Sequence, residues 1–483
     1  MSILKNYFFS LSIQIMNILT PLITLPLVVR ALGNGGMGKI AITSSILSYF
    51  LILSSLGLTS YGNKVIAKSN KKEDLTKSFN TILNLQLLYT TISVSAFIVY
   101  ILFFGFGLRL VLWISLLQLL ATYIDFTWFF YGINEIKTVA VRNIIIKLLG
   151  IILIWFFVKT SEDIYNYFWI LGGSSLLANL SVFFIIKKHV DFNFFKLDFR
   201  INKTDLITSL YIIFPLFIMA LYSNVDRFII LSFLKNYDSV GIYDVGIKFI
   251  SIFAVLIVSL RPLMISKISS INDDLDKIEE LVCKSISLVF YISIPICILL
   301  FLNVESFISL FLGARFIESA FIIKILAIQI LLTGIGDVFV NQILISIGQE
   351  KKVFAIMCVL CFFLVVLYIM FIPIFGIYGA AVSSVIAHFF ILFLEFYYVN
   401  RYIKVRINVS DILKCFVAGS VCAAVLCSIN NLFLINTYFR LMMVSILAVL
   451  TYVGICFLFR VKLQENIIGV VKVSRKMNNE FKV

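Results

Sequence analysis

Charged residues are scarce in this sequence: Asp, Glu, Lys and Arg together make up 13% of the chain. A soluble domain carries about 25% charged residues, and about half of its residues are apolar. Here 61% of the residues are hydrophobic, and the mean hydropathy is +1.07. No water-soluble globule could bury that much Phe, Ile, Leu and Val, so the composition excludes a soluble protein.

Cysteine is absent from the first 282 residues, and most of the eight cysteines beyond that point lie in apolar stretches. Cys358 and Cys361 form a CxxC pair, but no His or acidic residue lies near them in the sequence. Buried cysteines of this kind usually pack as small hydrophobic groups. We therefore expect no metal site and no cofactor.

Apolar runs of about 20 residues, long enough to cross a hydrocarbon core of about 30 Å as helices, recur along the chain. No small-residue cleavage site follows the first run, so we expect a membrane helix there and not a removed signal. The predicted fold class is all-α, a polytopic membrane protein with fourteen transmembrane helices. The predicted spans are 7–30, 40–62, 80–104, 108–130, 138–158, 164–187, 206–232, 240–262, 282–302, 316–341, 353–374, 377–400, 410–430 and 438–460.

The distribution of Lys and Arg predicts the orientation of these spans. With the N-terminus in the cytoplasm, 27 of the 40 Lys and Arg fall in inside segments and 7 in outside segments. Cytoplasmic loops of membrane proteins accumulate these residues, which also explains the net charge of +15 without a nucleic-acid partner. We predict that both termini are cytoplasmic. The predicted outer loops are short, which disfavours a membrane polysaccharide polymerase or ligase.

A weak internal repeat predicts the domain organisation. The Gly-rich turn at Arg30–Ile40 is echoed at Phe233–Tyr243, and Gly132–Lys137 is echoed at Gly348–Lys352. The offsets, about 200 and 216 residues, correspond to six helices, so two lobes of like orientation are expected. The predicted parts are an N-terminal lobe at 1–205, a C-terminal lobe at 206–405, and two extra helices with a cytoplasmic tail at 406–483.

Six cations lie more than two residues inside the ends of the predicted spans, where each costs about 2.5–3.5 kcal/mol at mid-membrane. They are Arg142, Lys147, Arg227, Lys248, Lys324 and Lys414, of which Lys414 is close enough to a helix end to reach the interface. Asp226 and Arg227 are adjacent, diverge by about 100° on a helix, and are predicted not to pair. The acids counted within the spans are few, so we expect a net positive interior that suits phosphate, pyrophosphate or an acidic sugar. Those acids are Asp125, Asp226, Asp337 and Glu395.

Neutral polar residues also recur at helical spacing within the spans. In the first helix Gln14, Asn17 and Thr24 share a face, and in the third helix Asn80 and Asn84 share another. These stripes are consistent with a hydrated cavity that accepts sugar hydroxyls. They are equally consistent with interhelical hydrogen bonds in a dry bundle.

Several stretches taken together carry a resemblance to a known family. The chain resembles the polysaccharide transporters of the MOP (multidrug/oligosaccharidyl-lipid/polysaccharide) exporter superfamily, in particular Wzx-type O-antigen flippases. The order and spacing of the matching stretches, together with fourteen spans, are fairly specific. The stretches are Leu25–Gly33, Tyr61–Gly62, Asp125–Gly132, Asp226–Ile230, Val240–Tyr243 and Ile372–Ala381.

The resemblance implies two six-helix lobes around a central cavity that opens alternately to each side of a bacterial inner membrane. It implies a substrate of oligosaccharide on undecaprenyl pyrophosphate, with membrane lipids, a polysaccharide polymerase and a chain-length regulator as partners, and no enzymatic activity. The candidate substrate-binding cations are Arg30, Arg142, Lys147, Arg227, Lys248 and Lys324. The candidates for polar cavity or coupling residues are Gln14, Asn17, Asn84, Asp125, Asp226 and Asp337.

Two alternatives stay open within the same superfamily. One is a flippase of a lipid-linked peptidoglycan precursor. A drug/cation antiporter would need acidic cavity residues, which are scarce in the predicted spans. Coupling to a proton or sodium gradient is implied by the resemblance, although no ion site is evident in the sequence.

Overall fold

The structure is a computed structural model, and the residues described are 2–55, 57–69, 72–105, 107–186, 189–190, 203–258, 261, 264–265, 268, 275–432 and 437–459. Helices account for nearly all of these residues, and no strand occurs among them. The chain divides into two compact units, Met1–Asp244 and Val245–Val483. The predicted division at 205 and 405 stays a prediction, and the predicted tail beyond residue 459 lies outside the described residues.

The first unit contains long helices joined by short turns. Its α-helices are α1 (Ser2–Ser55), α2 (Leu58–Ile66), α3 (Lys72–Phe104), α4 (Arg109–Ala121), α5 (Thr127–Gly132), α6 (Ile136–Phe157), α7 (Ile164–Ile186) and α8 (Lys203–Leu234). The next helix, α9 (Tyr237–Val258), begins in the first unit and continues into the second.

The remaining helices belong to the second unit. They are α10 (Leu275–Phe311), α11 (Ser319–Asp337), α12 (Glu350–Val399), α13 (Val409–Leu432) and α14 (Thr437–Leu458). A π-helical segment, Val338–Leu344, continues α11 directly.

Eleven helices of the described chain are long and apolar enough to cross a membrane. Their outward side chains are apolar: Phe362 is 73% exposed, Ile374 72% and Phe184 68%. Such a surface is stable against lipid tails and unstable in water, so the predicted polytopic all-α membrane protein is confirmed. Every predicted span overlaps a helix, whereas fourteen as the number of crossings stays a prediction.

Two of the long helices are sharply kinked at glycine. Gly33 interrupts α1 with φ 67° and ψ −172°, and Gly376 interrupts α12 with φ 58° and ψ −137°. A positive φ is disfavoured for residues that carry a Cβ, so glycine permits each bend. The two kinks fall where the sequence predicts boundaries between consecutive spans.

The first unit packs around a cluster of aromatic rings. Phe79, Phe126, Trp128, Phe129 and Phe130 are buried together between α3 and α5, with the rings of Phe79 and Trp128 stacked at 5.4 Å. Large buried rings supply much apolar area at low entropic cost. This cluster fixes the position of α5, which carries part of the candidate site.

Helix α1 and the start of α9 approach each other at glycine. A Cβ on Gly38 would lie 1.9 Å from the carbonyl oxygen of Tyr237, and one on Gly241 would lie 2.0 Å from that of Asn34. Backbones this close leave no room for a methyl group. The two turns that the sequence pairs as a repeat are therefore in direct contact within the first unit.

The second unit packs α10 against α11, α13 and α14, and α11 against α12. Its core includes Cys415, Cys422, Leu426, Tyr452 and Cys456, all of them buried. Cys422 Sγ donates to the Ala448 carbonyl oxygen at 3.4 Å, and the CxxC pair, Cys358 and Cys361, lies half-buried on α12 outside this core.

Candidate functional site

A break between α4 and α5 positions the first part of the candidate site. Helix α4 gives way to a 3-10 turn, and Asp125 then adopts an extended backbone with φ −84° and ψ 97°. The Gln86 side-chain amide donates to the carbonyl oxygens of Thr122 at 2.6 Å and of Asp125 at 3.1 Å. Trp128 Nε1 donates to Gln86 Oε1 at 2.8 Å. Because free carbonyls are costly within a membrane, Gln86 stabilises the break.

Arg142 of α6 reaches this break through a threonine. Its Nη2 donates to Thr127 Oγ1 at 3.2 Å, and its Nε and Nη2 donate to Asn143 Oδ1 at 3.2 and 3.1 Å. Thr127 in turn donates to Asp125 through its hydroxyl and, at 3.0 Å, through its backbone amide. Arg142 Nη1 is buried without a hydrogen-bond partner in the described part of the chain. Arg142 thus keeps an unused donor and has only an indirect link to a carboxylate.

Lys147, also on α6, contacts a neutral partner. Its Nζ donates to Asn17 Oδ1 of α1, which lies one turn after the half-buried Gln14. Neither Lys147 nor Arg142 forms an ion pair with any described residue. An amide oxygen satisfies one donor without supplying a counter-charge, so neither group on α6 has a directly paired carboxylate and both can donate to an anion.

Arg227 of α8 has different surroundings. Its Nε donates to Asp244 Oδ1 at 2.8 Å, and its Nη1 donates to Asp226 Oδ1 at 2.9 Å and to the Ser223 carbonyl oxygen at 2.6 Å. Arg227 is 7% exposed, and both carboxylates are at least as buried. The positive charge of Arg227 is thus compensated inside the protein, and the group of Arg227, Asp226 and Asp244 carries one net negative charge.

The expectation that Asp226 and Arg227 do not pair is therefore wrong. Divergence by about 100° applies to the Cα–Cβ bonds, but the Arg227 side chain is long enough to fold back along its own helix. The reasoning also missed Asp244, although this residue lies within a predicted span. Residues 227 and 244 lie at equal distances from the α8–α9 turn, so a helical hairpin places them side by side.

Lys324 in the second unit is also compensated. Its Nζ lies 2.7 Å from Glu305 Oε1 and 5.8 Å from the centre of the Phe301 ring. It lines an apolar cavity of about 570 Å³ formed by α10, α11 and α13, together with Cys297 and Gly419. Glu305 lies just beyond the predicted span and was not counted among the acids.

The other predicted site residues lie elsewhere. Arg30 is exposed three residues before the α1 kink, Lys248 is half-buried on α9, and Asn84 is 4% exposed inside α3. Asp337 ends α11 and forms an ion pair with Arg261. The structure thus brings Lys147 to Asn17, links Arg142 to Asp125 through Thr127, and joins Arg227 to Asp226. The roles of all these residues in binding stay predictions.

The fold and the charges buried among its apolar helices define a polytopic α-helical membrane protein. Two kinds of solved structure share this fold. "Lipid II flippase MurJ, inward closed conformation" has a TM-score of 0.71 and 17% identity, covering 96% of this chain and 100% of that one. A multidrug resistance MATE family transporter of the MOP superfamily, in an outward-facing conformation, has a TM-score of 0.56 and 15% identity, covering 83% and 94%.

The family follows from the sequence match. Residues 3–264 match the model of the family described as "Polysaccharide biosynthesis protein", and the chain belongs to that family. The predicted resemblance to polysaccharide transporters of the MOP superfamily is confirmed.

Two curated relatives carry the name "Putative O-antigen transporter". The protein of Shigella dysenteriae is 23% identical over 186 residues, which cover 38% of this chain and about half (47%) of that protein. The protein of Escherichia coli (strain K12) is 20% identical over 370 residues, which cover 74% of this chain and 87% of that protein.

Proposed function

We propose that this protein is a flippase that moves an oligosaccharide linked to undecaprenyl pyrophosphate across a bacterial inner membrane. The family membership, the two relatives named as O-antigen transporters and the fold shared with a lipid II flippase support this proposal. The chain would carry its substrate from the cytoplasmic to the outer leaflet. Both termini would be cytoplasmic, as the distribution of Lys and Arg favours.

The observation that carries the proposal is the pair of cations on α6, neither of which forms a direct ion pair with a described carboxylate. A pyrophosphate head needs charge-assisted donors in the membrane, and a guanidinium group provides planar, bidentate recognition of phosphate. Arg142 offers a buried Nη1 that no described group uses, and Lys147 has only the neutral Asn17 as a partner. We assign the recognition of the anionic head to these two residues, with Asn17 in contact with Lys147 and Gln14 one turn before Asn17 on α1.

The physical task explains why one protein needs both polar and apolar surfaces. A pyrophosphate and several sugars cannot cross hydrocarbon unaided, whereas the polyprenyl tail can remain in lipid throughout. In the proposed mechanism the head enters a chamber between two six-helix lobes, and rocking of the lobes exposes it to the other side. The protein performs no chemical step on the substrate, and a polymerase with its chain-length regulator would use the exported unit.

A flippase of a peptidoglycan precursor is the second candidate, since the fold resembles that of a lipid II flippase. Both candidates place a pyrophosphate-linked sugar against the α6 cations. The family described as polysaccharide biosynthesis favours the first. A drug/cation antiporter fits less well, because Asp226 and Asp244 are already paired with Arg227.

The test compares cations with and without an acidic partner. Arg142→Gln and Lys147→Gln, singly and together, would be expressed in cells whose surface glycan depends on this protein, with Lys324→Gln as the matched control. We expect the double variant to lose at least nine-tenths of the surface glycan and to accumulate lipid-linked oligosaccharide. The Lys324→Gln variant should keep the wild-type amount of surface glycan and should not accumulate lipid-linked oligosaccharide. Immunoblots would establish equal protein levels. Wild-type glycan from the double variant would contradict the assignment.

A further inference from the structure

Glu395 on α12 is a buried carboxyl group with an unused oxygen. The residue is 4% exposed, and its Oε2 is buried without a hydrogen-bond partner in the described part of the chain. The carboxyl group lies against α11 at Gly336, where a Cβ would come within 2.9 Å of Oε2. Glycine at this position therefore makes room for the carboxyl group between the two helices.

A second carboxylate, Asp337, lies next to this group. Asp337 is 8% exposed, forms an ion pair with Arg261, and accepts a hydrogen bond from Asn341 Nδ2 at 2.8 Å. Asp337 directly follows Gly336, against which the Glu395 carboxyl group lies, so the two acidic residues are neighbours. Two carboxylates and one guanidinium group leave one negative charge without compensation, and Glu395 is the member that lacks a partner.

The surroundings hold both an unused donor and an unused acceptor, and the donor is Arg261 Nε, which is buried without a hydrogen-bond partner in the described residues. The π-helical segment 338–344 begins directly after Asp337, and Gln342 Oε1 within it is buried without a hydrogen-bond partner in the described residues. On α12 itself, His388 is two turns away, and its Nδ1 contacts the Ser384 carbonyl oxygen at 2.7 Å. π-Helical turns often mark functional sites in membrane and soluble proteins.

We propose that the Glu395 carboxyl group carries an exchangeable proton, with Asp337 as its electrostatic partner. A proton neutralises the excess charge and needs no further ligands. If the flippase function proposed above holds, this carboxyl group is the site that couples transport to a proton gradient.

Carbodiimide labelling tests the proton site without any transport assay. Dicyclohexylcarbodiimide reacts with protonated carboxyl groups in apolar surroundings and leaves a stable N-acylurea on them. The purified full chain in detergent would be labelled at several pH values and analysed by peptide mass spectrometry. We expect the adduct on the peptide that contains Glu395, with a yield that falls as the pH rises.

Two variants, and sodium as a competing cation, serve as controls for the labelling of Glu395. Glu395→Gln should lose at least four-fifths of the total labelling, whereas Glu305→Gln, which removes the carboxylate that pairs with Lys324, should keep it. Labelling elsewhere, or equal labelling of Glu395→Gln and the wild type, would overturn the proposal. Protection of Glu395 by 100 mM NaCl at constant pH would also overturn it and assign the site to sodium. If a variant fails to fold, the position of the adduct on the peptides of the wild-type protein still tests the proposal.

Discussion

Arg142 and Lys147 on α6 and Arg227 on α8 are all cations on apolar helices of the first unit, yet their surroundings differ. Arg227 is enclosed by Asp226 and Asp244, so its charge is cancelled inside the protein. The two cations on α6 contact only neutral oxygens, from Thr127, Asn143 and Asn17. A buried cation therefore indicates an anion site only when the protein provides no carboxylate of its own.

The largest expected effect is on the stability of the compensated cluster. Arg227→Met leaves two buried carboxylates facing each other, and loss of one member of a buried ion pair costs about 3–5 kcal/mol. We expect the variant to express poorly and to unfold at a clearly lower temperature in detergent. Thermal unfolding followed by fluorescence would measure this, with Arg142→Gln as the comparison. Equal melting temperatures for Arg227→Met and Arg142→Gln would contradict the distinction between a cation paired with carboxylates and a cation that contacts only neutral oxygens.

The second effect concerns the neutral network that holds the α4–α5 break. Gln86→Leu removes the donor to the Thr122 and Asp125 carbonyl oxygens and the acceptor for Trp128 Nε1. Each buried group left unsatisfied costs about 1–3 kcal/mol. We expect lower thermal stability together with reduced transport, because Thr127 and Asp125 would shift relative to Arg142. Gln118→Leu on α4 is the control, and a similar loss there would mean that Gln86 has no special role.

The third prediction concerns a variant in which the charge of Lys147 is cancelled while the lysine itself is kept. Asn17→Asp gives Lys147 a carboxylate at the position of the present amide oxygen, so Lys147 would come to resemble Arg227. We expect transport to fall about tenfold, equivalent to about 1.4 kcal/mol, at unchanged protein level. Asn17→Ala is the control and should lose less, since it leaves the charge of Lys147 intact. Surface glycan measured over time would give both rates, and an active Asn17→Asp variant would contradict the role of net charge.

The smallest effect is expected at Lys324. Its partner Glu305 is 59% exposed and the lysine 23%, and exposed ion pairs contribute about 0–1 kcal/mol. Lys324→Met should therefore change the melting temperature and the glycan little. A loss as large as that of the α6 variants would show that compensation by a carboxylate does not separate binding cations from structural ones.

The sequence was sufficient to predict the membrane-spanning class and the approximate positions of the helices, because long apolar runs report their lipid surroundings directly. It also placed the bends near Gly33 and Gly376. It could not predict the contacts of Arg227, because pairing depends on how far a long side chain folds back and on which residue of α9 lies opposite. The role of Gln86 could not be predicted either. Its hydrogen bonds depend on where the α4–α5 break leaves the Thr122 and Asp125 carbonyl groups free, and the sequence does not show that position.

Direct binding of the anionic head tests the central claim most simply. The purified protein in detergent would be mixed with undecaprenyl pyrophosphate or with undecaprenol, and the bound fraction measured by native mass spectrometry. We predict that the wild type and Lys324→Gln prefer the pyrophosphate lipid at least tenfold, and that Arg142→Gln/Lys147→Gln binds the two lipids equally. An undiminished preference for pyrophosphate in the double variant would contradict the assignment of the head group to α6.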